Sequence, residues 1–230
     1  MRSTPTITAP VFVPVAAVLA VAALTLRLSG DWRWVEGWIF GVWWVSFMGA
    51  SLLWLLYKDP ALLAERMRMP GSGGESRSDV AILVGIKLCA LAWIVLPALD
   101  MRCGWTPRLP LWCEVCGGIL LLGGSFFMFR ALTDNTFASQ LVRIQSERNQ
   151  HVIDTGVYGF VRHPMYLGAS LMFPGGALLR GSVCGLVVAL AGILLLVLRI
   201  FGEEKLLAHD LEGYLAYREK VSYRLLPHVW

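Results

Sequence analysis

Apolar stretches alternate with polar segments along the chain, and the apolar stretches are long. Six blocks carry at most one charge each: Val11–Leu26, Trp38–Tyr57, Val80–Leu99, Leu111–Phe129, Met165–Leu179 and Ser182–Leu198. A helix needs about 20 residues, within a range of roughly 17–25, to cross the hydrocarbon core of a bilayer. The blocks also lack the two-residue alternation that membrane strands require. The pattern therefore predicts an all-α, polytopic integral membrane protein with about six transmembrane segments.

The last two blocks are short, and only Arg180 and Gly181 separate them. They predict a tight helical hairpin that just reaches across the bilayer. The first block follows Arg2, so a signal peptide is an alternative to a retained span. No clear cleavage site follows the block, and this favours the retained span.

The polar segments between the blocks have distinct characters. The composition of Pro70–Asp79 is typical of a flexible linker, and Ala61–Met69 before it predicts a short interfacial helix. Thr133–Asp154 is too long for a simple turn, which is typical of functional loops. Apolar residues recur with helical spacing over Glu203–Val221, which predicts an amphipathic C-terminal helix at the membrane surface.

Composition agrees with the pattern. Of the 230 residues, 57% are hydrophobic and only 16% are charged, which excludes a soluble globular enzyme, a disordered chain and a nucleic-acid-binding arm. With six spans and a cytoplasmic N-terminus, most of the 20 lysines and arginines fall on the inner side. This bias predicts that both termini are cytoplasmic. The lone Cys113-x-x-Cys116 motif lacks further ligands, so no metal site is predicted.

Charged and polar residues stand both at the start and at the end of the predicted hairpin. Pro164 suits the first position of a helix, and His163 is then the N-cap. The backbone N–H groups of the first helical turn have no partner within the helix, and together with Arg162 they form a site for an anion such as a carboxylate. At the other end, Arg199 precedes the pair Glu203 and Glu204. Because one span out and one span back return the chain to the same side, both ends must lie at the same depth. Together they suit a zwitterionic ligand.

The second half of the chain resembles the isoprenylcysteine carboxyl methyltransferase family and the related membrane phospholipid methyltransferases. The resemblance covers residues 133–224 and rests on five elements: Asn135–Phe137, His151–Tyr158, RHPMY at 162–166, EEKLL at 203–207 and EGYLAYREKV at 212–221. The chain departs from the family at Met165, where serine is common, and at 209–213, where the family often has Phe-Phe-Gly.

The resemblance implies a transferase that uses S-adenosylmethionine and acts on a lipid or lipidated substrate, with an isoprenylcysteine-type carboxylate as the expected acceptor. The residues that it implies as cofactor-binding are Gly156, Val157, Tyr158, His163, Tyr166, Glu203 and Glu204. The implied catalytic residues are Arg162, Arg199 and Glu203, and the implied substrate-binding residues are Asn135 and Arg199. The first 132 residues then form an N-terminal membrane domain of four spans, and residues 133–230 form the catalytic region.

Two other functions fit part of the sequence. The C-terminal tail also resembles that of the membrane sterol reductases, which would use reduced nicotinamide (NADPH). A small non-enzymatic transporter is a further alternative, although the two halves of the chain show no internal similarity.

Overall fold

The computed structural model describes residues 9–230, with side chains from residue 14 onward. Its regular structure in this range is helical, as the apolar blocks predict, and eight α-helices occur in it. They are α1 (Ala9–Ser29), α2 (Val35–Lys58), α3 (Pro60–Arg66), α4 (Arg77–Cys103), α5 (Leu111–Asp134), α6 (Pro164–Leu179), α7 (Val183–Asp210) and α8 (Tyr214–Lys220). Two short 3₁₀ turns, Ser146–Arg148 and Gly156–Gly159, lie between α5 and α6.

Four helices, α2, α4, α5 and α7, are long and apolar enough to cross a bilayer. The described apolar part of α1, Pro14–Ser29, is shorter, and α6 has 16 residues. Each of the six predicted blocks therefore lies in a helix of its own, and the prediction of a polytopic membrane protein is confirmed. The structure does not describe Arg2, which was counted in the charge bias. It also does not describe the side chains of residues 11–13, which belong to the first apolar block.

Helices α5 and α6 pack with their backbones in close contact. Gly124 faces Gly168, and Gly117 faces Gly175. A Cβ atom added to Gly124 would lie 2.5 Å from the Gly168 carbonyl oxygen, and one added to Gly175 would lie 2.8 Å from that of Gly117. In each helix the glycines are seven residues apart, or two turns, so they share one face. Small residues of this kind let membrane helices approach closely, and here they hold the short α6 against the longer α5.

The predicted hairpin is formed by α6 and α7. Gly181 turns the chain with a φ of +64°, and Ser182 caps α7 by accepting a hydrogen bond from the N–H of Gly185 at 2.9 Å. Arg180 is buried at the turn, where its guanidinium donates to the carbonyls of Trp93 and Gly176 and lies 3.9 Å from the centroid of the Phe40 ring. These contacts fix the hairpin against α2 and α4.

The predicted short helix before the linker is present as α3, although it ends at Arg66, and it anchors the polar segment between α5 and α6. Its Glu65 is buried and forms an ion pair with Arg143 of that segment at 2.8 Å. The hydrogen bond from Arg143 holds the pKa of Glu65 below its usual value. The 133–154 segment is thus tied to α3.

Two predicted boundaries are wrong. The region Glu203–Val221 is not one helix, because α7 continues to Asp210 and α8 begins only at Tyr214. Gly213 adopts a φ of +81° between them, a left-handed conformation that interrupts a helix. The linker Pro70–Asp79 also ends earlier than predicted, since Ser76 caps α4 by accepting a hydrogen bond from the N–H of Asp79.

Candidate functional site

The first turn of α6 and the last part of α7 meet on one side of the bundle. The Tyr166 hydroxyl donates a hydrogen bond to Glu203 Oε2 at 2.6 Å. The His163 ring stacks on that of Tyr166, with centroids 5.5 Å apart and planes 10° apart. His163 is the N-cap of α6 and Pro164 opens the helix, as the sequence predicts. The out-and-return geometry therefore brings the helix start and the acidic pair into contact.

The two adjacent glutamates have different surroundings. Glu204 is buried, and it accepts hydrogen bonds from Arg162 Nε at 2.7 Å and from Arg224 Nε at 2.8 Å. Its Oε1 also lies 3.4 Å from His163 Nε2. Glu203 instead borders a cavity. Glu204 thus holds the C-terminal segment to α6, while the carboxylate of Glu203 is the one that reaches a ligand space.

The two predicted arginines are both engaged with the protein. Besides Glu204, Arg162 donates to the carbonyls of Val221 and Ser222 at 2.7 and 2.8 Å. Arg199 donates to Asp79 Oδ1 at 3.2 Å and to the carbonyl of Gln140. Arg162 borders the cavity, whereas Arg199 does not. Both arginines position the elements around the cavity.

The Gly156–Tyr158 turn is fixed by the end of α5. Gly156 has a φ of +58°, and a Cβ atom there would lie 2.0 Å from Asp134 Oδ2. That same oxygen accepts a hydrogen bond from the N–H of Val157 at 3.0 Å. Only Tyr158 of this turn borders the cavity, and burial raises the pKa of its hydroxyl well above the usual value. Gly156 and Val157 therefore shape the turn that presents Tyr158.

Asn135 follows the last residue of α5 and borders the same cavity. Its Oδ1 accepts a hydrogen bond from the N–H of Phe137 at 2.8 Å, so the side chain turns the backbone at the start of the polar segment.

The cavity encloses about 880 Å³, including the space at its open mouth. Its walls are formed by residues of the segments 135–143 and 150–153, by Tyr158 and Arg162, by the start of α6, by the last part of α7 and by α8. The predicted site residues that border it are Asn135, Tyr158, Arg162, His163, Tyr166 and Glu203.

Three residues that the sequence predictions did not assign belong to this region. Tyr214 and Tyr217 of α8 border the cavity, and both stand in the 212–221 motif, which was the available signal. Tyr217 donates its hydroxyl hydrogen to the carbonyl of Tyr158 at 2.8 Å. Arg66 of α3 donates to the carbonyl of Ala138 at 2.7 Å, and no sequence pattern pointed to it.

Arg66 differs from its arginine neighbours in lacking an acidic partner. Arg68 and Arg143 both pair with Glu65, whereas Arg66 forms no ion pair with any described residue. Its Nη1 lies 3.8 Å from the sulfur of Met165, a residue of the cavity wall. A cation without a carboxylate thus stands beside the cavity. No cluster of three or more potential metal ligands occurs among residues 14–230.

A polytopic bundle with four helices long and apolar enough to cross a bilayer defines an integral membrane protein, and its cavity lies between the start of α6 and the end of α7. Residues 112–211 match the family model described as phospholipid methyltransferase. For this region the resemblance to the isoprenylcysteine carboxyl methyltransferase and phospholipid methyltransferase family is confirmed. The match begins inside the predicted N-terminal domain and ends in α7. No curated protein matches the chain.

Residues 112–211 are thus similar to membrane methyltransferases, and this similarity indicates methyl transfer at a membrane.

Proposed function

We propose that this protein transfers a methyl group from S-adenosylmethionine to a lipid-borne acceptor at the cytoplasmic face of a membrane. The observation that carries the proposal is the contact of Tyr166 with Glu203 in the wall of a cavity at the end of a membrane hairpin. S-Adenosylmethionine supplies a methyl group already activated on a sulfonium, so the protein has to bind it and align the acceptor.

The side chains around the cavity fit such a ligand. Glu203 Oε1 has no hydrogen bond to a described residue and can accept one from an ammonium group or a ribose hydroxyl. The start of α6, which no side chain caps, offers N–H groups to a carboxylate. The aromatic faces of Tyr158, His163 and Tyr166 can stabilise a sulfonium cation. The hydroxyl of Tyr214 is buried without a partner, which also fits a polar ligand.

We propose Glu203, His163, Tyr166 and Tyr158 as direct contacts of the cofactor. Gly156 and Val157 act indirectly, because they fix the turn that holds Tyr158. Glu204 acts through the ion pairs described above. Arg162 and Arg199 serve as positioning residues: Arg199 holds the backbone at Gln140, between cavity residues Ser139 and Leu141. Asn135 shapes the start of the polar segment 133–154, which forms the side of the cavity that we assign to the acceptor. We assign catalysis to the region 133–230, and α5 supports this region because α6 packs on it.

For the acceptor we propose a carboxylate of the isoprenylcysteine type. Its oxygen is already a nucleophile: the new O–CH₃ bond forms as the S–CH₃ bond breaks, and the electron pair of that bond stays on sulfur. No base is needed. Arg66, which has no carboxylate partner among the described residues, is the cation that would meet the anionic part of the acceptor.

The match to a phospholipid methyltransferase model favours an amine of a phospholipid headgroup as a second candidate acceptor. An ammonium group must lose a proton before it attacks, and Glu203, a carboxylate that borders the cavity, can accept it. The two acceptors give different products. A methyl ester releases its label in mild alkali, whereas an N-methyl group does not, so labelled cofactor and a lipid extract distinguish them.

Calorimetry with S-adenosylhomocysteine on the detergent-solubilised protein tests the cofactor. The wild-type protein should bind, and Glu203→Gln and His163→Ala should abolish binding without loss of expression. Glu212→Gln, at an exposed position outside the cavity, is the matched control and should bind normally. Binding of NADPH but not of S-adenosylhomocysteine would support the sterol-type reductase instead, and normal binding by both site variants would refute the proposed site.

A further inference from the structure

An apolar stripe on α7 stays exposed in the helical bundle. Its members are between 48% and 61% exposed and follow one another at intervals of three or four residues: Val187, Leu190, Leu194, Leu198 and Phe201. This spacing places them on one face of the helix. A span needs about 20 residues, and α7 begins at Val183, so the hydrocarbon core ends close to Phe201. The stripe therefore faces lipid, and Phe201 lies at the level of the headgroups.

The segment 221–230, which follows α8, continues this apolar surface at the end of the stripe. The Trp230 ring packs against the Phe201 ring, with centroids 5.7 Å apart. Val229 of the same segment is 76% exposed. The N–H of His163 donates to the carbonyl of Arg224 at 3.0 Å, so the segment is also held against the start of α6. Aromatic side chains such as these are typical of the boundary between headgroups and acyl chains.

The side chain of Arg224 lies beside this aromatic pair. Its Cζ atom is 5.6 Å from the centroid of the Phe201 ring and 5.2 Å from that of the Trp230 ring. Its Nε donates to Glu204 Oε2 at 2.8 Å, whereas its two Nη atoms donate to no described residue. The side chain is 26% exposed. Arg224 thus offers unused N–H donors at the headgroup level, next to two aromatic rings.

The charges around Arg224 favour an anion. Glu204 also accepts a hydrogen bond from Arg162 at 2.7 Å, so two guanidinium groups share one carboxylate. Among the described residues Arg224 forms no ion pair with a second acidic group. Arg224 does not border the cavity, so its unused donors face a place other than the proposed cofactor site.

We propose that Arg224, together with Phe201 and Trp230, binds the phosphate of a membrane phospholipid whose acyl chains lie along the α7 stripe. The inference does not depend on the reaction that the cavity supports. The planar guanidinium can donate two parallel hydrogen bonds to phosphate oxygens. A free phosphate ion would use the guanidinium alone, whereas a phospholipid also covers the exposed apolar stripe.

Native mass spectrometry of the detergent-solubilised protein tests this site, because it counts bound lipids and protein copies together. The probe is dioleoylphosphatidylglycerol, and dioleoylglycerol, which has the same acyl chains but no phosphate, is the matched lipid. Arg224→Lys keeps a cation for Glu204 but removes the second set of donors. Arg130→Gln is the control, since Arg130 is an exposed arginine near the end of α5 that already pairs with Asp134 at 2.8 Å.

The wild-type protein should bind phosphatidylglycerol more tightly than dioleoylglycerol, and Arg130→Gln should do the same. Arg224→Lys should weaken phosphatidylglycerol by about tenfold, as expected for lost hydrogen bonds to a charged group, without changing the affinity for dioleoylglycerol. Phe201→Ala leaves the ion pair with Glu204 in place and removes one ring. It should weaken phosphatidylglycerol by about two- to fivefold. This second variant decides the matter if the melting temperature of Arg224→Lys falls.

Three results would overturn the inference. The first is an unchanged affinity for phosphatidylglycerol in Phe201→Ala, or in an Arg224→Lys protein that melts as the wild type does. The second is full displacement of the lipid by millimolar inorganic phosphate, which would show a site for the free ion. The third is a dimer without bound lipid, which would show that a second copy of the chain covers the stripe.

Discussion

The hydroxyl of Tyr166 lies 2.6 Å from the carboxylate of Glu203, although 37 residues separate them in the chain. The contact joins the first turn of α6 to the last third of α7, so it forms only if the hairpin leaves and returns to the same side. The two adjacent glutamates differ in their surroundings. Glu203 borders the cavity, whereas Glu204 is surrounded by Arg162, His163 and Arg224.

Glu204→Gln should destabilise the protein by about 3–5 kcal/mol, because it leaves buried arginines without their counter-charge. The Glu204 side chain is only 6% exposed, and Arg162 is equally buried. Thermal unfolding in detergent measures the effect, and Glu212→Gln, at an exposed position, is the control. A melting temperature equal to that of the wild type would show that the ion pairs do not support the fold.

Gly124→Ala should destabilise the packing of α5 against α6 by about 1–3 kcal/mol, the usual range for an overpacked contact. The new methyl group would lie 2.5 Å from the backbone of both Gly168 and Met172, where no flexible side chain can move aside. Gly123→Ala is the matched control, since nothing lies within 4 Å of its added Cβ. Similar melting temperatures for the two variants would contradict the close helix contact.

The ion pair of Glu65 with Arg143 should make stability depend on pH in the acidic range. The hydrogen bond from Arg143 lowers the pKa of Glu65 from its usual 4.5. A lowered pKa stabilises the folded state above the usual value, and this contribution disappears as pH falls through the lowered pKa. The melting temperatures of wild type and Glu65→Gln should therefore differ at neutral pH and converge below pH 4.5. A constant difference down to that range would exclude the linkage.

Arg66→Gln should raise the KM for an anionic lipid acceptor by about tenfold, as expected for a lost hydrogen bond to a charged group. Affinity for S-adenosylhomocysteine should stay unchanged, because Arg66 does not border the cofactor cavity. Arg68→Gln, two residues further on, is the control, since Arg68 pairs with Glu65 at 3.0 Å. An unchanged KM for Arg66→Gln would remove Arg66 from the acceptor site.

The proposed orientation, with both termini cytoplasmic, can be checked with thiol labelling. Cys103 is exposed at the end of α4, on the proposed outer side, and Ser72 lies in the linker on the proposed inner side. A variant that keeps only Cys103 should react with an impermeant reagent on intact cells. A cysteine-free variant carrying Ser72→Cys should react only after lysis. The opposite pattern would invert the topology.

The hydrophobic pattern determined the helices, because a bilayer leaves the backbone few ways to satisfy its hydrogen bonds. It also located the hairpin and its charged ends, since the length of a span fixes where the chain returns. The motif at 162–166 placed His163 and Tyr166 at the start of a helix, where the structure has them. The pattern did not determine every helix boundary. The break between α7 and α8 depends on the left-handed conformation of Gly213, which hydrophobic periodicity does not reveal.

The sequence by itself thus determined the membrane fold and the residues that meet where the hairpin begins and ends, because both follow from span length and order along the chain. Only the tertiary structure decided what each polar group faces. It turned Glu204 and Arg162 toward each other, Glu203 and Tyr214 toward the cavity, and Arg66 toward Met165. Such pairings depend on the rotation of helices and on contacts between distant segments, and no local spacing in the chain encodes them.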